Sequence, residues 1–114
     1  MSAESEIQDV IEAVGDVADF LERHSGKGAE AALARVRKDS RRLAGGDLDA
    51  LKSLLAETTG GMGSLNDLGL TRSDRLAMSD DEWRVLNRRR DALMDMAAEK
   101  CRIAMRRHGL EVWR

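Results

Sequence analysis

The chain has 114 residues, of which 42% are hydrophobic, 35% are charged and only 3% are aromatic, and it contains no proline. A core of aliphatic residues without proline is typical of an all-helical protein, whereas a strand-rich fold would need more aromatic and β-branched residues. A chain of this length can bury about two-thirds of its unfolded surface in one domain. We therefore predict a single all-α domain over residues 1–114.

The single cysteine, Cys101, excludes an intrachain disulfide and any multi-thiolate metal site. No apolar run approaches the roughly eighteen residues that a membrane span requires. The first thirty residues are acidic, which is the opposite of a secretory or transit signal. We expect a cytoplasmic protein with no membrane association, no bound metal and no cofactor.

The net charge of −2 conceals a strong segregation of charge along the chain. It amounts to −6 over residues 1–30, +4 over 31–46, −5 over 47–82 and +5 over 83–114. Charge runs are usually solvated faces, so the simplest interpretation is that neighbouring helices compensate one another.

The first predicted helix covers residues 5–24, and Gly26 is available to cap its end in the left-handed conformation. Its apolar positions recur at helical spacing on one broad stripe. These positions are Ile7, Val10, Ile11, Val14, Val17, Ala18 and Leu21. The opposite side carries a line of carboxylates that we call the acidic ridge: Asp9, Glu12, Asp16 and Asp19. Because like charges at this spacing repel one another weakly, the ridge is either a solvated face or a surface for a basic partner.

The second helix is predicted over residues 29–44 and stops at Gly45 and Gly46. Asp47 is a plausible N-cap for a short third helix that ends near Thr58. A fourth helix is predicted from Ser79, which with Glu82 forms a capping box, to about His108. Its length of about 43 Å makes it the spine of a four-helix bundle-like domain with a long C-terminal helix.

The fourth helix carries two apolar stripes. The main stripe contains Trp83, Leu86, Leu93, Met94, Ala97, Cys101, Ala104 and Met105. The second contains Val85, Ala92, Met96 and Ile103. We interpret the second stripe as the flank of a deeply buried helix, and the alternative is a surface for a partner protein or for a second copy in a homodimer.

A glycine-rich loop at residues 60–70 separates the third and fourth helices and has four glycines within ten residues. Glycine at this density, mixed with apolar residues, predicts an ordered loop that is packed down. Arg90 interrupts the main stripe of the fourth helix, so it needs a partner. We expect it to anchor the loop by binding Asp67, with Asn66 and loop carbonyls taking its other donors. The alternative is that the glycines only let the third helix cross closely over the fourth.

Enzyme motifs are weak. The loop lacks the lysine and preceding strand of a phosphate loop and the third glycine of a dinucleotide fingerprint. His24 and His108 are far apart, and Ser64 has no nearby histidine in the sequence, so we predict no catalytic residues.

Nucleic-acid binding is the next alternative. The basic residues Arg84, Arg88, Arg102 and Arg106 share one face of the fourth helix. However, Asp91 and Asp95 interrupt that face, and the pI is about 5.7. We therefore consider nucleic acid an unlikely partner.

Binding to another protein remains, and charge segregation and a packed loop both suit it. The predicted contact surfaces are the acidic ridge and five loop residues. The loop residues are Met62, Ser64, Leu65, Asn66 and Asp67.

The order of short helices, the segment from Leu48 to Leu55, the following loop and the helix from Trp83 to Cys101 resemble small helical bacterial immunity proteins. The similarity is to those that neutralise an NAD-degrading effector of the type VI secretion system. The stretch from Gly60 to Asp67 is separately similar to a segment of uncharacterised small bacterial proteins. The first resemblance implies a cytoplasmic inhibitor that occludes a toxin's active site, and the acidic ridge would suit a basic toxin cleft. A phage-encoded inhibitor of a bacterial defence complex would have the same physical character.

Overall fold

The computed structural model describes residues 3–71 and 75–110, and these ranges contain four α-helices of ten or more residues and no β-strand. The helices are α1 (Ala3–His24), α2 (Glu30–Ala44), α3 (Ala50–Thr59) and α4 (Asp80–Arg107), with 3-10 turns at Lys27–Ala29 and Leu65–Asp67. The predicted all-α fold with its long C-terminal helix is confirmed. No helix in the described ranges has the length and apolar character needed to cross a membrane.

The four helices form a closed ring in which each one packs on its two neighbours. Helix α1 packs against α2 and α4, and α3 packs against the same two helices. Glu6 near the start of α1 lies 3.8 Å from Arg107 at the end of α4, so α1 and α4 run antiparallel. The largest fully buried side chains come from all four helices and from the loop: Val10, Val14, Val17, Leu21, Val36, Leu43, Leu51, Leu54, Leu65, Met94, Cys101 and Met105.

Helix α3 begins at Ala50 after an N-cap at Asp49, two residues later than the N-cap predicted at Asp47. The Asp47 side chain accepts a hydrogen bond from the Asp49 backbone N–H at 3.1 Å, and the Ala50 N–H bonds to the Asp47 carbonyl at 3.2 Å. Tight turns therefore occupy the first predicted turn of this helix, since an aspartate that bonds two residues ahead favours a turn over a helix start.

Both predicted ends of α4 are confirmed. Ser79 Oγ accepts from the Glu82 backbone N–H at 3.1 Å, and the Glu82 carboxylate accepts from the Ser79 N–H at 3.1 Å. That backbone hydrogen bond lowers the pKa of Glu82. At the other end Gly109 has φ +71°, and the Leu110 N–H bonds to the Met105 carbonyl at 2.8 Å, as in a Schellman motif.

The second apolar stripe of α4 does not belong to the core. Val85 is 61% exposed, Met96 54% and Ile103 37%, and Ala92 is also exposed. The interpretation of this stripe as the flank of a deeply buried helix is therefore wrong. The reason is the ring itself, because α1 and α3 both cover α4 from its inner side and leave its outer side open.

Candidate protein-binding surfaces

Residues 60–70 form an ordered loop that closes on itself after α3. The Ser64 hydroxyl donates to the Gly61 carbonyl at 2.6 Å, and the Asp67 carboxylate accepts from the Gly63 backbone N–H at 3.1 Å. Gly63 has φ +85°, a conformation that side chains other than glycine rarely adopt. The tip of the loop is therefore shaped by its own hydrogen bonds. The whole stretch from Thr59 to Met78 has no confident helical pattern in the sequence, but Arg75 and Leu76 within it are helical, and residues 72–74 lie outside the described residues.

An ion pair from α2 and α3 clamps one side of the loop. Glu57 accepts from the Leu65 backbone N–H at 2.8 Å and pairs with Arg35 Nε at 3.0 Å. Arg35 also donates to the Gly63 carbonyl at 2.5 Å. The Glu57 side chain is only 14% exposed, so these bonds are partly shielded from water. Neither Arg35 nor Glu57 was among the predicted site residues.

Arg90 of α4 clamps the other side of the loop. Its Nε donates to the Leu68 carbonyl at 3.0 Å, its Nη2 donates to the Asn66 carbonyl, and its Nη1 pairs with Asp91 at 2.9 Å. The expected pairing with Asp67 is wrong, because the Asp67 carboxylate turns to a backbone N–H within the loop. Arg90 therefore holds the loop through main-chain carbonyls, and its charge is balanced by its neighbour on α4.

The five predicted contact residues of the loop differ widely in exposure. Met62 is 98% exposed, whereas Leu65 is fully buried in the core. Leu65 therefore cannot contact a partner while the loop keeps this shape, and its assignment as a contact residue is corrected. Asp67 is exposed, and Ser64 and Asn66 are half-buried.

The glycines of the loop do not serve a close crossing of α3 over α4. A Cβ added at Gly60 would lie 2.4 Å from the carbonyl oxygen of Ala56, which belongs to α3 itself. A Cβ at Gly61, Gly63 or Gly69 would meet no atom within 4 Å. The glycines shape the exit from α3 and the turn that follows it.

Hydrogen bonds join the C-terminal end of the loop to the C-terminal end of α1, the helix that carries the acidic ridge. The Ser25 hydroxyl donates to the Gly69 carbonyl at 2.8 Å, and the Thr71 N–H donates to the His24 carbonyl at 2.7 Å. These bonds place the loop and the C-terminal part of the acidic ridge at the same end of the bundle.

The acidic ridge is largely open to solvent. Glu12, Asp16 and Asp19 are exposed, and Asp9 is half-buried. Asp19 accepts from Arg37 of α2 at 3.4 Å, while the other three carboxylates have no ion pair among the described residues. Compensation by a neighbouring helix therefore reaches only one end of the ridge.

A groove of about 370 Å³ runs beside the ridge between α1 and α4. Asp16 and Asp19 line it from α1, and Arg89 and Leu93 line it from α4. Its walls thus combine both signs of charge with apolar side chains. Such a lining suits the mixed side chains of a protein surface.

The cysteine and the two histidines lie apart from one another, and the cysteine is buried. Burial raises the pKa of Cys101 to about 12, so its thiol stays protonated near neutral pH. His24 and His108 lie at opposite ends of the antiparallel α1 and α4 pair. The described residues contain no group of three His, Cys, Asp or Glu side chains that could hold a metal ion.

The basic face of α4 is diluted by acids of the same helix. Arg84 lies 3.3 Å from Asp81, and Glu99 lies 3.6 Å from Arg102 and 3.4 Å from Arg106. These pairs reduce the positive potential that phosphate groups would meet.

No family model, curated protein or solved structure matches this chain. The resemblance to immunity proteins therefore stays a prediction.

Proposed function

We propose that this protein acts by binding and inhibiting another protein, and that its role is immunity to a bacterial toxin whose active site it occludes. The observation that carries the proposal is Met62, which stands 98% exposed at the tip of an ordered loop. The rest of the loop is fastened by Glu57 on one side and by Arg90 on the other.

A loop that only connected two helices would not need these fastenings, because a solvated connection tolerates mobility. Arg35, Glu57 and Arg90 instead reach the loop from three different helices. A side chain presented on a turn of fixed shape loses little conformational freedom when it enters a cleft, so more of the contact energy appears as affinity. Met62 is also adaptable in shape, which suits insertion into an irregular pocket.

The acidic ridge supplies the second part of the proposal. Asp9, Glu12 and Asp16 have no ion pair within the described residues, and their charges are therefore available to a basic surface. Complementary charge of this kind mainly raises the rate of association and selects the partner. A cleft with basic walls, as expected for an enzyme that acts on a dinucleotide, would fit such a surface.

The direct experiment is co-purification with the product of the adjacent gene, followed by co-expression with that product in a growth assay. We expect a stable complex and relief of toxicity. Absence of a complex at micromolar concentration would refute inhibition of that protein. A complex with a component of a defence system, without toxicity, would instead indicate the phage-encoded inhibitor.

Variants at two exposed apolar positions distinguish a specific contact at the loop tip from nonspecific hydrophobic association. Met62→Ala should weaken the complex by about 100-fold, within the range expected for loss of an interface hot spot. Leu76→Ala is the matched control, because Leu76 is 76% exposed but lies outside the loop. We expect it to leave affinity unchanged, and equal losses in both variants would remove the loop tip from the interface.

A further inference from the structure

The outer face of α4 carries a regular line of exposed residues that the inhibitor proposal does not use. Their spacing alternates between three and four residues, which is the heptad spacing of a coiled-coil seam. We call this line the α4 seam, and every member of it is exposed. The seam consists of Glu82, Val85, Arg89, Ala92, Met96, Glu99, Ile103 and Arg106.

The seam is complementary to its own reverse. When a second copy lies antiparallel, with the two-fold axis level with Met94, positions equidistant from Met94 face one another. In that register Val85 meets Ile103 and Ala92 meets Met96, so apolar residues pair with apolar residues. Arg89 meets Glu99, and, further out, Glu82 meets Arg106. In every layer, therefore, either two apolar residues or an arginine and a glutamate face one another.

Other arrangements lack this match. If the second copy slides by one heptad in one direction, Glu82 faces Glu99 of the second copy. If it slides in the other direction, Arg89 faces Arg106 of the second copy. A parallel pair in register would place each charged residue against its own copy. Like charges across such a seam are the usual device that excludes wrong pairings.

We propose that the α4 seam is the interface of an antiparallel homodimer. Arg89 makes no hydrogen bond or ion pair with any described residue, so its guanidinium is available to Glu99 of the second copy. Glu99 would exchange its long, exposed pair with Arg106 of its own helix for this one, which leaves Arg106 to Glu82 of the second copy. Val85 lines a shallow, largely apolar groove of about 380 Å³ together with Met78 and Leu86. Ile103 of the second copy lies over this groove in the proposed register.

The dimer should be reversible. The seam is about 36 Å long and one helix wide, which is small beside the interfaces of permanent dimers. Arg88 at the edge of the seam also lies near Arg102 of the second copy, which weakens the pairing. We therefore expect a dissociation constant of about 10–100 μM, as for a weak, transient contact.

Sedimentation of the full chain at concentrations up to about 500 μM tests the proposal, together with charge-reversal variants at two exposed positions. Arg89→Glu and Glu99→Arg should each raise the dissociation constant at least about ten-fold, because each creates two symmetric like-charge contacts. A mixture of the two variants should dimerise again, as should the double variant, since both restore opposite charges. Circular dichroism would verify that the helices are retained.

Cysteine cross-linking tests the direction of the helices. Mild oxidation should join Val85→Cys protein to Ile103→Cys protein. Either variant alone should stay uncross-linked, because in a dimer of that variant the two new cysteines, one from each copy, lie about 27 Å apart. The buried native Cys101 does not interfere. A wild-type chain that stays monomeric, single variants that dimerise as well as wild type, or cross-linking of Val85→Cys to itself would each overturn the proposal.

Discussion

Leu65 and Met62 lie three residues apart in the same loop, yet the structure assigns them opposite roles. Leu65 is fully buried, and Met62 is 98% exposed. Replacing each by alanine therefore gives a matched pair of truncations in one short segment. We expect Leu65→Ala to reduce stability strongly and Met62→Ala to leave it unchanged.

The size of the effect follows from burial. Truncation of a fully buried leucine typically costs about 2.7–5 kcal/mol, and a loop site can relax in part, so we expect about 3 kcal/mol. For a chain of 114 residues the entropy of unfolding is about 0.24 kcal/mol/K, which converts this loss into a fall in Tm of about 12 °C. Truncation of an exposed side chain changes stability by about 0.5 kcal/mol or less, which corresponds to about 2 °C.

Thermal and urea unfolding followed by circular dichroism measures both variants. The dependence of the free energy of unfolding on urea should stay the same, because neither change alters the surface exposed on unfolding by much. A loss below about 1 kcal/mol for Leu65→Ala would show that the loop is not packed into the core. A comparable loss in both variants would contradict the assignment of Met62 to the surface.

Three further changes test other contacts. Arg90→Met should lower the free energy of unfolding by about 2 kcal/mol, because the carbonyls of Asn66 and Leu68 lose their donor, and it should speed amide exchange in the loop. Arg90→Lys should recover part of the loss. Full stability in the methionine variant would argue against the clamp. Ser79→Ala should cost about 1 kcal/mol in urea unfolding through loss of the helix cap, and an unchanged midpoint would contradict this. Burial raises the pKa of Cys101 from the ordinary 9.0 to about 12, so above pH 9 the unfolded chain loses the thiol proton first. Relative to Cys101→Ala, stability should then fall by up to about 1.4 kcal/mol per pH unit between about pH 9 and 12; parallel pH profiles would refute the assignment.

The helices could be predicted because their signals are local. The capping box at Ser79, the glycine at position 109 and the apolar stripe of α1 each lie within a few residues of the structure they specify. The beginning of α3 was placed two residues early because Asp47 can cap a helix or start a turn, and the residues after it decide which of the two forms.

The clamps around the loop could be predicted only in part. Arg90 was found because it interrupts an apolar stripe, but its main-chain acceptors carry no sequence signature, and opposite charge pointed to Asp67 instead. The pair of Arg35 and Glu57 spans 22 residues and two helices. Its contact depends on how α2 and α3 pack, which periodicity does not specify.

The second stripe of α4 shows a related limit. Periodicity reveals how many apolar faces a helix has, and it does not reveal how many neighbours that helix finds. In the ring of four helices, α1 and α3 cover only the inner side of α4, so Val85 and Met96 face outward. The regular apolar spacing suggested that this face is buried within one chain. The same spacing makes the face suitable for packing against a second chain.

Positions in and around the loop differ sharply in their tolerance to substitution. Gly60 and Leu65 are each fixed, Gly60 by the clash that a side chain would create and Leu65 by its burial, and Glu57 of α3 is fixed by its bond to the loop. Met62, between them, touches nothing that the fold depends on. If the proposed interface includes Met62, recognition can diverge at this position without loss of folding, so a lineage of such proteins could change partners by single substitutions and never pass through an unstable ancestor.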